Sequence, residues 1–179
     1  SGGFPVAKGA DVGDEPFAIL LPDELLVDHP GCLSRMMTAY NKIGGSMVAV
    51  REVPLEETKR YGIIDAKGDQ GDVVSVHGIV EKPLPADAPS RLAVIGRYIV
   101  QPQVFAELER HEKGAGDEIQ LTDALARLIG KAPFHGFRFK GHRYDCGDKV
   151  GFLQANIAVG LSHPETAAPL RALLKNLSL

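Results

Sequence analysis

The chain alternates between short apolar runs and amphipathic stretches, and its hydrophobic period switches repeatedly between two and about 3.6. Residues 16–21, PFAILL, read as a short buried strand. Cys32–Ile43 carries Leu33, Met36, Met37, Tyr40 and Ile43 at helical spacing and stops at Gly44-Gly45. Residues 46–53 return to a strand pattern. After Pro54 a short polar turn or helix leads into residues 61–83, which predict a hairpin with a turn at residues 68–71, rich in Gly and Asp. Leu92–Val100 is a strand with a central glycine, Gly96. Residues 102–111 open a helix with Pro102 in its first turn, where the missing N–H does no harm. Ile119, Leu121, Leu125, Leu128 and Ile129 form one apolar helical face ended by Gly130. Residues 134–141 alternate like a strand, and residues 149–161 and 164–177 read as closing helices.

Helices between strands, with one hairpin, predict an α/β fold built on a mixed sheet. At 179 residues and 44% hydrophobic, the chain suffices for one core, and no repeat, low-complexity tract or linker divides it. A single domain over residues 1–179 is expected, with residues 164–179 as a terminal helix available for contact with another copy.

A formal charge of -3 offers no basic footprint, so nucleic acid is not an expected partner. No apolar run approaches the roughly 20 residues of a membrane helix, and the N-terminal residues lack the order of a signal peptide. Cys32 and Cys146 stand far apart without metal or disulfide spacing, which predicts reduced thiols in a cytoplasmic protein.

Chemistry concentrates at strand ends. Val73, Val74, Val76, Ile79 and Val80 make a β-rich run that ends in Glu81, Lys82 and Pro83. In an open α/β sheet such an end faces the ligand crevice, where a carboxylate can accept from hydroxyls and an ammonium can meet phosphate. A surface ion pair before a turn is the plainer alternative. Asp23 follows the first strand, and one carboxylate there suits Mg²⁺, which takes few protein ligands; capping a turn is the alternative. Asp145 precedes Gly147 and a helix, so it is a second candidate ligand or a cap, while Asp148 adjoins the helix start as a cap. The GxG within KGAGDEIQ follows a helix and lacks the third glycine of a dinucleotide loop. Neither a GxSxG nor an HExxH pattern occurs, so nothing supports serine-nucleophile or zinc-hydrolase chemistry.

Taken in order, LLPD, RYGIID, GIVEKP, LAVIGRYI, GAGDEIQLTDAL and YDCGDKVGFLQA resemble the bacterial UTP–glucose-1-phosphate uridylyltransferases over about residues 13–163. The resemblance implies a three-layer, Rossmann-like nucleotidyltransferase fold and Mg²⁺-dependent synthesis of UDP-glucose and pyrophosphate from UTP and glucose 1-phosphate. It implies Asp23 and Asp145 as Mg²⁺ ligands, Gly62 and Gly96 lining the sugar pocket, Glu81 accepting from glucose hydroxyls, and Lys82 on the sugar phosphate. Lys82 and Asp23 would carry the catalysis, and a homo-oligomer is expected. Glu24 stands where the family often has a second aspartate, and it receives no role. The Gly-rich nucleotide loop that opens the family has no counterpart before Asp23, which implies the C-terminal portion of such an enzyme, without its first βα units and inactive alone. Another sugar-phosphate nucleotidyltransferase, or a non-catalytic sugar-nucleotide-binding module, remains the alternative.

Overall fold

A computed structural model describes residues 13–67, 71–110 and 120–177. Strands β1 (Phe17–Leu20), β2 (Glu24–Val27), β3 (Ser46–Glu52), β4 (Gly62–Lys67), β5 (Val73–Glu81), β6 (Leu92–Val100), β7 (Phe134–Arg138) and β8 (His142–Asp145) are joined by helices α1 (Cys32–Ile43), α2 (Val104–Leu108), α3 (Leu121–Leu128), α4 (Lys149–Ser162) and α5 (Pro164–Asn176). A 3₁₀ helix, Leu55–Arg60, precedes β4. The main sheet runs β1-β6-β3-β7-β5-β4. Among the described residues only β3 and β7 pair in parallel there, so the sheet is mixed. Ile63 of β4 also meets Ala93 of β6, which curls that end of the sheet.

Strand β6 is apolar on both faces because both are covered. On one side Ile95 and Ile99 pack with Met47, Ala49 and Phe137 beneath Cys32 and Met36 of α1. On the other, Val94, Tyr98 and Val100 pack with Val48, Ile64 and Val74 beneath Ala124, Leu125 and Leu128 of α3. The expected three layers are therefore α1, sheet, and α2 with α3. Of the apolar positions in α1, Met36 is fully buried whereas Met37 and Ile43 face outward. Helix α2 starts at Val104, two residues beyond Pro102, which lies in the preceding turn. Residues 1–12, residues 68–70, residues 111–119 including Ile119, and the last two residues fall outside the described ones.

Two arrangements go beyond the sequence reading: a second small sheet, and the packing of the two expected closing helices on each other. Strands β2 and β8 form a separate two-stranded antiparallel sheet. Helices α4 and α5 pack on each other outside the layered core, with Gly160 so close to Leu170 that an added Cβ would lie 2.7 Å from its Cδ2. Their hairpin leaves Val150, Phe152, Leu153, Ile157, Val159 and Leu173 exposed. Both cysteines are free thiols, and burial pushes the Cys32 thiol up to about 11. No helix among the described residues is long and apolar enough to cross a membrane.

The layering fixes which apolar side chains matter for stability. Leu125→Ala, at a fully buried position, is expected to cost about 2–5 kcal/mol in urea unfolding, whereas Phe152→Ala, at a side chain 53% exposed, should cost about 1 kcal/mol or less.

Candidate active site

Asp23 lies in the turn between β1 and β2, and Asp145 is the last residue of β8. The register of β2 on β8 sets Glu24 opposite Asp145, and the Cys146 N–H donates to the Asp23 carbonyl at 2.6 Å. Two residues after Asp145, Gly147 donates its N–H to Asp145 Oδ1 at 3.1 Å. A Cβ on Gly147 would stand 3.1 Å from Asp23 Oδ2 and 3.3 Å from Asp145 Oδ1. Both carboxylate oxygens thus border one small space that the glycine keeps open. A pair of hard oxygen ligands beside open space fits Mg²⁺, which holds one or two carboxylates and completes its shell with water and phosphate. Asp148, read as a cap, accepts from the N–H groups of Val150 and Gly151, both at 3.0 Å, and caps α4. Gly151 brings the first turn of α4 directly onto the Asp145 carbonyl, where any Cβ would collide.

An arginine organises the acidic side chains. Arg143 of β8 donates to Glu24 from Nε at 2.7 Å and from Nη2 at 2.5 Å, and both side chains are about nine-tenths buried. Its Nη1 donates to the Tyr61 hydroxyl at 3.2 Å, with the guanidinium 4.8 Å from the Tyr61 ring centroid. Burial works against the Arg143 charge, but the bonds to Glu24 and Tyr61 outweigh it and raise its pKa. Burial lifts the Glu24 carboxyl above its usual range, with Arg143 pulling the other way. Asp145 is held differently: half-exposed Arg60 donates to its Oδ2 at 3.1 Å, and Arg143 stands 3.8 Å off.

Gly96 lies under this turn. It is buried at φ +69, and an added Cβ would come within 2.8 Å of Glu24 Cγ and 3.1 Å of Leu21 Cβ. Its carbonyl accepts from Leu21 N–H at 2.9 Å. Arg97 donates to the carbonyls of Leu21 and Glu24, at 3.1 and 2.5 Å. Gly96 therefore supports the Asp23 turn from below.

Glu81 and Lys82 end β5. The Glu81 side chain is 11% exposed, and a Cβ on Gly62 would stand 3.2 Å from its Oε2 and 3.4 Å from the Thr122 side chain. The absent side chain at Gly62 therefore makes room between Glu81 and the start of α3. Lys82 Nζ lies 3.5 Å from Glu81 Oε1 and is half-exposed. Its backbone is left-handed at φ 48, held by a 2.9 Å bond from its N–H to the Tyr61 carbonyl. Tyr61 thus meets both halves of the site, through its carbonyl at Lys82 and its hydroxyl at Arg143. Beneath them, burial and the nearby charges of Glu81, Glu24 and Asp23 hold the Tyr98 phenol protonated.

A nucleotidyl transferase family model matches residues 5–160. The chain belongs to the nucleotidyl transferase family. It is 52% identical over 139 residues, 78% of its length, to a UTP–glucose-1-phosphate uridylyltransferase of Komagataeibacter xylinus. It is 41% identical over 94% of its length to one of Staphylococcus epidermidis. A crystal structure of UDP-glucose pyrophosphorylase complexed with UDP-glucose superposes with a TM-score of 0.82 at 42% identity, covering 86% of this chain. A UTP-bound enzyme from Acinetobacter baumannii superposes with a TM-score of 0.82 at 36% identity, covering 95%. The chain spans 49% and 58% of the two curated relatives and 59% of each of these structures.

Within this nucleotidyl transferase chain, the structure brings Asp23 with Asp145 and Glu81 with Lys82 and Gly62. Arg143, Tyr61, Thr122 and Glu24 complete the surroundings. The one local signal for Arg143 was its place two residues before Asp145, on the same strand face.

The backbone at Lys82 yields a test separable from chemistry. A left-handed non-glycine residue costs about 1–2 kcal/mol, of which glycine would forfeit up to about 1 kcal/mol in unfolded-state entropy. Lys82→Gly is therefore expected to hold stability or raise it by up to about 1 kcal/mol, and Lys82→Val to lower it by more than 1 kcal/mol, both by chemical denaturation.

Proposed function

We propose that this chain supplies the metal-binding and sugar-phosphate-binding parts of an enzyme that transfers the uridylyl group of UTP to glucose 1-phosphate. The carrying observation is the convergence of Asp23 and Asp145 over Gly147, joined through Tyr61 to the Glu81–Lys82 end of β5. The names of the relatives, and UDP-glucose in one related structure, support the same reading.

A phosphate oxygen of glucose 1-phosphate attacks the α-phosphorus of UTP. The bond from that phosphorus to the bridging oxygen breaks, and pyrophosphate leaves. No covalent enzyme intermediate is required, so a site of carboxylates and one ammonium, without a nucleophile, is sufficient. Mg²⁺ held by Asp23 and Asp145 would supply charge neutralisation at the phosphates. Lys82 presents its ammonium to the sugar phosphate from a backbone that few lysines adopt, which limits where that charge can sit. Glu81, mostly buried beside Gly62 and Thr122, accepts from sugar hydroxyls in the space the glycine leaves. The enzyme would work in the cytoplasm as a homo-oligomer, with the exposed apolar side chains of the α4–α5 hairpin as the contact.

In a complete enzyme, Lys82→Ala is expected to lower kcat/KM for glucose 1-phosphate by about 1.5–3 kcal/mol, roughly one to two powers of ten. Asp23→Asn should leave the melting temperature nearly unchanged, because Asp23 is exposed and not part of the core, while raising the Mg²⁺ concentration needed for half-maximal rate. Unaltered kinetics in both variants would refute the assignment. Light scattering at micromolar concentration should give a dimer or larger species, and Phe152→Asp with Leu153→Asp should shift it to monomer.

A further inference from the structure

Three carboxylates crowd one end of the β2–β8 pair, and they are not equivalent. Glu24 and Asp145 are directly opposite in the antiparallel register, where like charges repel, and Asp23 adjoins Glu24. Yet among the described residues no three acidic, histidine or cysteine side chains converge as a metal-holding group. The difference is Arg143. It lies diagonal to Glu24 across the two strands and takes both Glu24 oxygens in a two-pronged bond. Its own position is fixed by the Tyr61 ring and hydroxyl, and the Glu24 stem is fixed against Gly96.

We propose that Arg143 is a positioning residue that holds Glu24 out of the cation site, so that the site offers two carboxylates rather than three. The proposal rests on the reading of Asp23 and Asp145 as the metal ligands. Charge decides why the number matters. A divalent cation on two carboxylates is formally neutral and still accepts anionic phosphate oxygens. On three carboxylates it would carry a net negative charge, repel the phosphates and lose one position they need. Asp145 accepts one bond from half-exposed Arg60 at Oδ2 and one from the Gly147 N–H at Oδ1, with Arg143 only at 3.8 Å, so neither oxygen is locked into a buried two-pronged pair as those of Glu24 are.

The test is Mn²⁺ binding, followed by electron paramagnetic resonance on the complete enzyme, with steady-state kinetics beside it. Asp23→Asn and Asp145→Asn should each weaken Mn²⁺ binding; if neither does, the two-carboxylate reading itself fails. Glu24→Gln should leave Mn²⁺ affinity within about twofold, since Glu24 is not a ligand, and tenfold weaker binding would overturn the proposal. Arg143→Met should tighten Mn²⁺ binding by about tenfold as Glu24 joins the site, with kcat and the apparent KM for Mg²⁺ falling together. Adding Glu24→Gln to Arg143→Met should return the Mn²⁺ affinity to that of the unaltered enzyme. Unchanged or weaker Mn²⁺ binding in a folded Arg143→Met protein would overturn the proposal. Should that variant fail to fold for want of a partner to buried Glu24, the Glu24→Gln measurement decides alone.

Discussion

The hydrogen-bond ladder of β6 carries the rest of the structure, because this strand pairs with β1 on one side, β3 on the other, and β4 where the sheet curls. Burial on both faces makes those bonds costly to leave unmade, so the strand has little freedom to shift. The site inherits that rigidity at two points. Gly96 and Arg97 hold the backbone of the Asp23 turn, and the β4–β6 contact brings Gly62, and with it Tyr61, alongside. A glycine at 96 is required twice over: its φ is positive and Glu24 occupies the place of its side chain.

The electrostatics follow from what each carboxylate is given as a partner. Glu24 is buried and must have an ion pair, since an unpaired charge there would cost several kcal/mol. Asp145 sits at the rim with half-exposed Arg60, and Asp23 is exposed. The most firmly paired acid is thus the least available one. Glu81 occupies a middle position, mostly buried yet adjoining a half-exposed lysine.

Elements with strong local periodicity were legible in the sequence: Leu92–Val100 and Cys32–Ile43 appear with the limits expected, and Asp148 caps α4. Strands β2 and β8 were not, because each has four residues and neither alternates cleanly; their pairing rests on contacts between residues more than a hundred positions apart. Glu24 was noted but given no role for the same reason, since its partner Arg143 is distant in the chain. The left-handed backbone of Lys82 is set by the Tyr61 carbonyl, another long-range contact, although Pro83 hinted that the preceding residue would not be helical. Gly96 was legible as a special position, whereas its relation to Leu21 and Glu24 required the fold.

Gly151 has a mechanical consequence. Because it has no side chain, the backbone of α4 rests on the backbone of Asp145 with no compliant layer between them. Side chains absorb small displacements by changing rotamer, and here none is available to do so. The rest of α4 touches little besides α5 and the β8 end, so the helical hairpin acts as a long arm with a short pivot. A tilt imposed anywhere along that arm would arrive at Asp145 as a shift of its main chain, undamped.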